Sequence, residues 1–141
     1  MKRFVAKIGL VVLILGMLSS CAALGLGPDR SVSFFNFTDK PELRARFVGT
    51  WRTEVTNNIF ANGAYTVMVF NTDGSGSETA FNKNRVVTST YSFQYKVDST
   101  QLVMQISANK AADAVWDYNF VDNDTFAIRS GRYNFLYRRT K

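Results

Sequence analysis

Between positions 47 and 139 one pattern recurs eight times, a short segment of alternating apolar and polar side chains followed by turn residues. A period of two is typical of β-strands that bury one face. The gaps hold Asn-Gly, Asp-Gly and similar pairs that favour tight turns, so neighbouring strands are expected to pair antiparallel. We predict strands at 47–56, 63–70, 75–82, 86–97, 101–107, 113–120, 125–130 and 132–139.

An up-and-down meander of eight strands can close on itself, and closure removes the exposed edges of an open sheet. The sequence therefore predicts an all-β, eight-stranded antiparallel up-and-down barrel. A transmembrane barrel is the alternative, but most of these strands are shorter than the roughly 9–11 residues that cross a bilayer.

Alternation also predicts which side chains face the barrel interior. Those expected inside are Phe47, Trp51, Val55, Tyr65, Val67, Val69, Tyr91, Phe93, Tyr95, Val97, Leu102, Met104, Ile106, Trp116, Tyr118, Phe120, Phe126, Ile128, Tyr133, Phe135 and Tyr137. The acidic residues fall at turns or at outward-facing positions, and Gln101 and Gln105 are also expected to face outward.

A short helix is expected before the first strand. The sequence Asp-Lys-Pro-Glu at 39–42 combines a capping aspartate, a proline in the first turn and an acid near the helix amino terminus. It predicts a helix at 41–46. The rings of Phe34, Phe35 and Phe37 precede it, and we expect them to pack against the domain, with docking to a partner or bilayer as the alternative.

The amino-terminal residues have the order of an export signal. Lys2, Arg3 and Lys7 flank the start of an apolar run at 8–18, which is eleven residues long. A bilayer-spanning helix needs roughly twenty, so a cleaved signal is expected. The sequence Leu-Ser-Ser-Cys at 18–21 resembles the bacterial lipobox. This resemblance implies that lipoprotein signal peptidase cleaves before the cysteine, which becomes the acylated first residue.

This interpretation divides the chain into a signal peptide at 1–20, an acylated tether at 21–38 and a barrel domain at 39–141. The lipobox resemblance implies a bacterial envelope protein that is held on a membrane through Cys21. Ala22 after the cysteine implies sorting to the outer membrane. An ordinary signal peptide that happens to contain a cysteine is the alternative.

Composition excludes several functions. Removal of the signal leaves 121 residues, and 14 basic against 11 acidic side chains give a formal charge of +3, which does not indicate nucleic-acid binding. The chain has no histidine and a single cysteine, so Ser-His-Asp and Cys-His systems and the usual zinc sites cannot form. We predict a monomeric binding protein without cofactor or metal; an enzyme using carboxylates and tyrosines is a further hypothesis.

A Gly-x-Trp sequence begins the first predicted strand, with Gly49 and Trp51 at its fixed positions. It resembles the signature of lipocalins and of bacterial lipocalin-like domains, and the resemblance covers residues 41–139. In that family the tryptophan closes the narrow end of an eight-stranded barrel beneath an arginine of the last strand. Alternation makes Arg139 a better candidate for that arginine than Arg138.

Aromatic side chains dominate the predicted inner face and could hold a small apolar molecule. The candidate ligand contacts are Tyr91, Phe93, Tyr95, Trp116, Tyr118 and Phe135. The same rings could instead fill the barrel, because side chains alone can occupy the interior of eight strands. In that case the expected function is an interaction or inhibitor protein whose outer surface contacts an envelope partner.

Overall fold

The computed structural model describes residues 33–54, 63–107 and 113–141. Its strands are β1 (Gly49–Glu54), β2 (Tyr65–Phe70), β3 (Ser75–Phe81), β4 (Val87–Val97), β5 (Gln101–Ile106), β6 (Asp113–Asp122), β7 (Thr125–Ser130) and β8 (Tyr133–Arg139). Each strand pairs antiparallel with its neighbours in the chain, and β8 pairs with β1 to close the ring. The predicted eight-stranded antiparallel barrel is confirmed.

The two barrel ends are defined by the chain direction. One end, called the closed end, holds the start of β1 and the end of β8; the other, called the open end, holds the start of β4 and the start of β6. β1 begins two residues later than predicted because residues 45–47 form the turn after the helix. β6 runs two residues further than predicted, across an irregular register with β7 between Phe120 and Asp122.

The helix, α1 (Pro41–Arg44), ends earlier than predicted and is not capped by Asp39. Its N-cap residue is Lys40, which gives no side-chain hydrogen bond to the helix. The Asp39 carboxylate instead accepts from the Arg44 guanidinium at 2.8 Å and from the backbone N–H of Val97 at 2.9 Å. This aspartate therefore attaches the helix to the end of β4, and a tertiary contact replaces the expected local cap.

β2 presents to the interior the face opposite to the one predicted. Thr66, Met68 and Phe70 lie inside, and Tyr65, Val67 and Val69 lie on the outer face. Both faces of β2 are apolar in sequence, so alternation alone does not show which face lies inside the barrel. The register with β1 places Met68 opposite the inward-facing Trp51 and so sets the orientation of β2. On the outer face Tyr65 stacks on Phe81 with ring centroids 4.8 Å apart, and the Arg52 guanidinium lies 3.8 Å over the tyrosine ring.

β5 is buried on both faces because the segment before α1 crosses its outer side. A 3₁₀ turn at Phe34–Asn36 packs beside β5, and Val103 and Gln101 on the outer face are buried. Gln101 and Gln105 lie on the outer face as predicted, but the crossing segment leaves Gln101 buried and Gln105 only partly exposed. The Gln105 side-chain nitrogen is buried with no hydrogen-bond partner among the described residues.

Hydrogen bonds attach this crossing segment to the neighbouring strands β4 and β6. The Phe34 backbone N–H donates to the Asp113 carboxylate at 2.7 Å, and Lys96 Nζ donates to the Phe34 carbonyl at 2.7 Å. The same ammonium lies 4.5 Å from the centroid of the Phe34 ring. The predicted packing therefore holds for Phe34, and Phe37 is partly buried, whereas Phe35 is 76% exposed and meets the Phe34 ring edge to face.

No helix within the described ranges is long and apolar enough to cross a membrane. Cys21, the lipobox and the proposed signal at 1–20 lie outside the described residues, as does Val55. The division of the amino-terminal residues into signal and tether stays a prediction.

Gly76 provides a test of the packing inside the barrel. It pairs with Phe93, and a Cβ at this position would overlap the Phe93 ring and lie 2.6 Å from the Val69 carbonyl oxygen. Backbone and a packed ring cannot both move away cheaply, so we expect Gly76→Ala to lower the free energy of unfolding by ~1–3 kcal/mol. Urea unfolding measures this. Ser77→Ala, on the opposite face of the same strand, is the matched control, and equal losses in the two variants would contradict the packing.

Candidate functional site

Trp51 lies at the centre of the closed end and is 0% exposed. Its indole nitrogen donates to the Phe47 carbonyl at 2.6 Å, and its ring meets the edge of Phe126 with centroids 4.7 Å apart. Phe47 comes from the turn after α1 and packs against Phe70 and Phe120 as well. This end of the barrel is filled by aromatic side chains.

Arg139 covers Trp51 from outside, with the guanidinium carbon 4.1 Å from the ring centroid. The guanidinium donates to the carbonyls of Val48 at 2.7 Å and Arg46 at 3.1 Å, and it pairs with Asp124 at 3.2 Å. The planar guanidinium of Arg139 therefore joins the last strand, the turn after α1 and the β6–β7 loop. Arg138, by contrast, points outward and is exposed.

Gly49 allows this approach. Its φ of +133° is a conformation that side chains other than glycine rarely adopt, and a Cβ there would lie 2.5 Å from Arg139 Nη1. The Gly-x-Trp sequence and the last-strand arginine thus form one structural unit, whose polar groups already have partners within the chain.

The six candidate ligand contacts separate into two groups. Phe93 and Tyr95 are buried in the aromatic packing around Phe70. The Tyr95 hydroxyl donates to the Asn71 carbonyl at 2.8 Å, and the Tyr118 hydroxyl donates to the Asp98 carbonyl at 2.7 Å, both in closed-end loops. These three residues belong to the filled half. Tyr91, Trp116 and Phe135 lie in the other half.

The inner face of that other half is less completely covered. We call it the open half and define it by the inward-facing residues Thr66, Ala80, Tyr91, Ala114, Trp116 and Phe135. Tyr91 and Phe135 are only partly buried, in contrast to the fully buried rings at the closed end. Ala80 and Ala114 are the smallest side chains of this inner face.

Trp116 carries a hydrogen-bond donor without a partner. Its side chain is 8% exposed, and its ring meets the edge of Phe135 with centroids 5.8 Å apart. The indole nitrogen is buried and has no acceptor among the described residues. A buried donor left unpaired costs ~1–3 kcal/mol, so an acceptor supplied by a bound molecule would be stabilising.

Glu78 is the residue that sequence reasoning missed. It faces the interior, is 8% exposed, and accepts a short hydrogen bond from the Tyr91 hydroxyl on the neighbouring strand. The Thr66 hydroxyl is a second hydrogen-bonding neighbour. The expectation that every acid lies at a turn or faces outward is therefore wrong. β3 lacks an apolar stripe, and the only sequence signal is that Glu78 shares its face with the small residues Gly76 and Ala80.

Burial controls the ionisation of this cluster. Desolvation raises the pKa of Glu78, and hydrogen bonds from Tyr91 and Thr66 offset part of this rise. The pKa of Tyr91 is raised well above its usual value by burial and by the nearby Glu78 carboxyl. Burial likewise raises the pKa of Tyr137, with a further contribution from Glu78. The cluster therefore favours neutral side chains.

The chemistry available to this interior is hydrogen bonding. Within residues 33–54, 63–107 and 113–141 no three of His, Cys, Asp and Glu cluster as metal ligands would. A tyrosine hydroxyl, a buried carboxyl and an indole N–H without an acceptor among the described residues lie on this mainly apolar inner face. Such an arrangement can orient a small molecule with one or two polar atoms.

Comparison with known proteins gives likeness in fold. The solution structure of a protein from Bacteroides thetaiotaomicron VPI-5482 matches with a TM-score of 0.56 and 18% identity over 74% of this chain and 98% of that one. A lipocalin-like protein from Bacteroides uniformis ATCC 8492 has a TM-score of 0.49 and 10% identity, covering 67% of this chain and 99% of its own. A protein from Bacteroides eggerthii DSM 20697 has a TM-score of 0.48 and 12% identity with the same coverage.

No family model matches the sequence, and no curated protein is significantly similar to it. At 18% identity the likeness to the Bacteroides thetaiotaomicron protein shows a shared fold.

Glu78→Gln tests the buried carboxyl. The pKa of Glu78 is raised, so its contribution to stability is full below the ordinary value of 4.5 and is lost as pH rises through the raised value. Glutamine cannot ionise and still accepts from Tyr91. We expect the variant to match the parent at low pH and to gain relative stability with increasing pH, by ~1.4 kcal/mol for each unit by which the pKa is raised.

Urea unfolding between pH 4 and pH 8 measures the difference. Glu42→Gln, at an exposed helix position, is the matched control for the removal of one carboxylate. Parallel curves for Glu78→Gln would contradict a neutral buried carboxyl.

Proposed function

We propose that this chain is a lipid-anchored envelope protein whose barrel binds a small, mainly apolar molecule in its open half. The observation that carries the proposal is the indole N–H of Trp116, which is buried on a mainly apolar inner face and has no acceptor within residues 33–54, 63–107 and 113–141. A barrel designed only for stability gains nothing from such a donor, whereas a ligand acceptor would satisfy it.

The ligand is expected to be uncharged near its polar end. Glu78 and Tyr91 share a hydrogen bond inside the barrel, and burial favours their neutral forms. A carboxylate ligand placed beside them would have to bury its charge in a mainly apolar interior. A carbonyl, ether or hydroxyl group meets the indole N–H without that cost.

The anchor supports the same function. Cys21 follows small residues in a lipobox-like sequence, and two or three acyl chains hold a protein on a bilayer far more firmly than one. An apolar ligand is poorly soluble in water, so a binding domain kept at a membrane surface has a source for it. The outer membrane of a bacterial envelope is the location proposed for it.

A second candidate function is an interaction or inhibitor protein acting through its outer surface. The complete filling of the closed half by Phe93, Tyr95 and Phe126 favours this alternative. Ligand binding requires only the open half to be accessible, and the two candidates differ in whether a small molecule occupies it.

Two neutral probes test the ligand site on residues 22–141. Prodan carries a ketone, and N-phenyl-1-naphthylamine is an aromatic amine without one. We expect both to bind with one molecule per barrel, and Trp116→Phe to weaken prodan about fivefold while changing N-phenyl-1-naphthylamine less than twofold, because one hydrogen bond is worth ~1 kcal/mol.

Native mass spectrometry of the protein from its own host supplies the second readout. A retained small molecule would identify the cargo class. If the mass is that of the protein alone and neither probe responds, ligand binding is wrong and the interaction protein replaces it.

Cys21→Ser tests the anchor in the host. The variant is expected to move from the membrane fraction to the soluble or secreted fraction and to lose the mass of its acyl chains, because serine offers no thiol for lipid transfer. Ser20→Ala keeps a small residue before the cysteine and is expected to stay in the membrane fraction. A membrane-bound Cys21→Ser variant would contradict acylation as the anchor.

A further inference from the structure

The described part of the chain begins beside the open end of the barrel. Phe34 donates its backbone N–H to Asp113, the first residue of β6, where that strand leaves the open end. The chain then passes down the outer face, where Lys96 Nζ donates to the Phe34 carbonyl, and reaches the closed end, where the Lys40 backbone N–H donates to the Val97 carbonyl at 2.7 Å. The described chain thus begins at Ser33, next to the residue that contacts Asp113.

The loops of the two ends differ in charge. The connections at the open end, 55–64, 82–86, 107–112 and 131–132, contain four basic residues and no acid. The connections at the closed end, 71–74, 98–100 and 123–124, contain three aspartates and no base. Of the arginines that reach the closed end, Arg44 is paired with Asp39 and Arg139 with Asp124, whereas Arg46 lies over the Phe120 ring.

Exposed apolar side chains are also concentrated near the open end. Phe35, Val86 and Val87 are three of the four large apolar residues that are exposed among those described; Val121 is the fourth. Val86 and Val87 follow the β3–β4 turn, and Phe35 is adjacent to the residue that contacts Asp113. Apolar side chains beside basic ones are typical of surfaces that bind membranes.

The β3–β4 turn holds its basic residues in a fixed conformation. The Asn82 side chain accepts from the backbone N–H groups of Asn84 at 2.9 Å and Val86 at 3.0 Å. Lys83 and Arg85 on this turn are exposed, and the pairing of β4 with β5 begins only at Phe93. The turn therefore projects beyond the neighbouring strand β5.

We propose that this rim, made of Phe35, Lys83, Arg85, Val86, Val87 and Arg132, docks on an anionic lipid bilayer, the same one that holds Cys21. The barrel mouth then faces the membrane surface and exchanges its ligand with the bilayer. The inference rests on the proposed anchor, since the anchor is what holds the open end of the barrel close to the bilayer.

The chain length agrees with this arrangement. Cys21 and Ser33 are twelve positions apart, and a fully extended chain of that length spans at most about 40 Å. Attachment on the open-end side therefore brings the rim to the bilayer without passing the tether around the barrel. Each basic side chain close to an anionic surface favours docking about fivefold.

Site-specific labelling of the acylated full-length protein tests the orientation. Cys21 is the only cysteine and its thiol is blocked by acylation, so Asn84→Cys on the rim and Ser99→Cys in a closed-end loop each give one label site. The labelled proteins are placed in vesicles of phosphatidylcholine with or without 30% phosphatidylglycerol. A quencher on the lipid headgroups is expected to quench the Asn84→Cys label at least fivefold more than the Ser99→Cys label, in the anionic vesicles.

Removal of charges distinguishes docking through the rim from a general attraction of the basic protein to anionic lipid. Lys83→Ser with Arg85→Ser is expected to reduce the docked fraction about fivefold for each charge removed. Lys40→Ser with Lys141→Ser removes the same charge elsewhere and is expected to leave it unchanged. Equal quenching at both labels would overturn the proposed orientation while leaving the anchor intact. Quenching that is the same in vesicles with and without phosphatidylglycerol would do so as well.

Flotation with the vesicles reports on the anchor separately. A protein that does not float with them would overturn both the anchor and the docking. An Asn84→Cys label that becomes protected with increasing protein concentration, whatever the lipid, would show that a second copy covers the rim and would also overturn the lipid proposal.

Discussion

The barrel depends on the contact between Arg139 and Trp51, because it joins the last strand to the first at the point where the ring closes. A guanidinium is planar and permanently charged, so it can cover an indole ring and still donate within its plane to several carbonyls. Here those carbonyls belong to the turn after the helix, and an aspartate from another loop completes the set. A single side chain thus holds together parts of the chain that are far apart in sequence, and without closure β1 and β8 would be open sheet edges.

Complete filling of one end allows the other end to differ. The rings around Phe47 and Phe126 supply a dry, well-packed closed half, and the polar side chains of the interior are placed beyond it. There Glu78, Tyr91 and Thr66 satisfy one another, so a carboxyl can stay inside the barrel without a cation as partner. The two halves of the barrel therefore differ in role: the closed half stabilises the fold, and the open half can accommodate polar atoms.

Sequence patterns predicted the barrel because most strands carry a strict apolar stripe on one face. β4 and β8 are examples, and alternation along β8 correctly separated the inward Arg139 from the outward Arg138. β2 is apolar on both faces, so only its pairing with neighbours could set its orientation. β3 has no stripe at all, which hid Glu78. The buried outer face of β5 depends on a contact with a distant segment, and no local pattern contains that information.

Closure by the last strand also sets the order in which the chain can fold. Trp51 lies in the first strand and Arg139 at the end of the last one, so the ring cannot close until all eight strands are present. Contacts this distant in sequence form slowly, since the intervening loop must be ordered first. Pairs of neighbouring strands join residues that are close in sequence, so they can form earlier. The position of one arginine at the end of the last strand therefore makes closure of the ring a late step in folding.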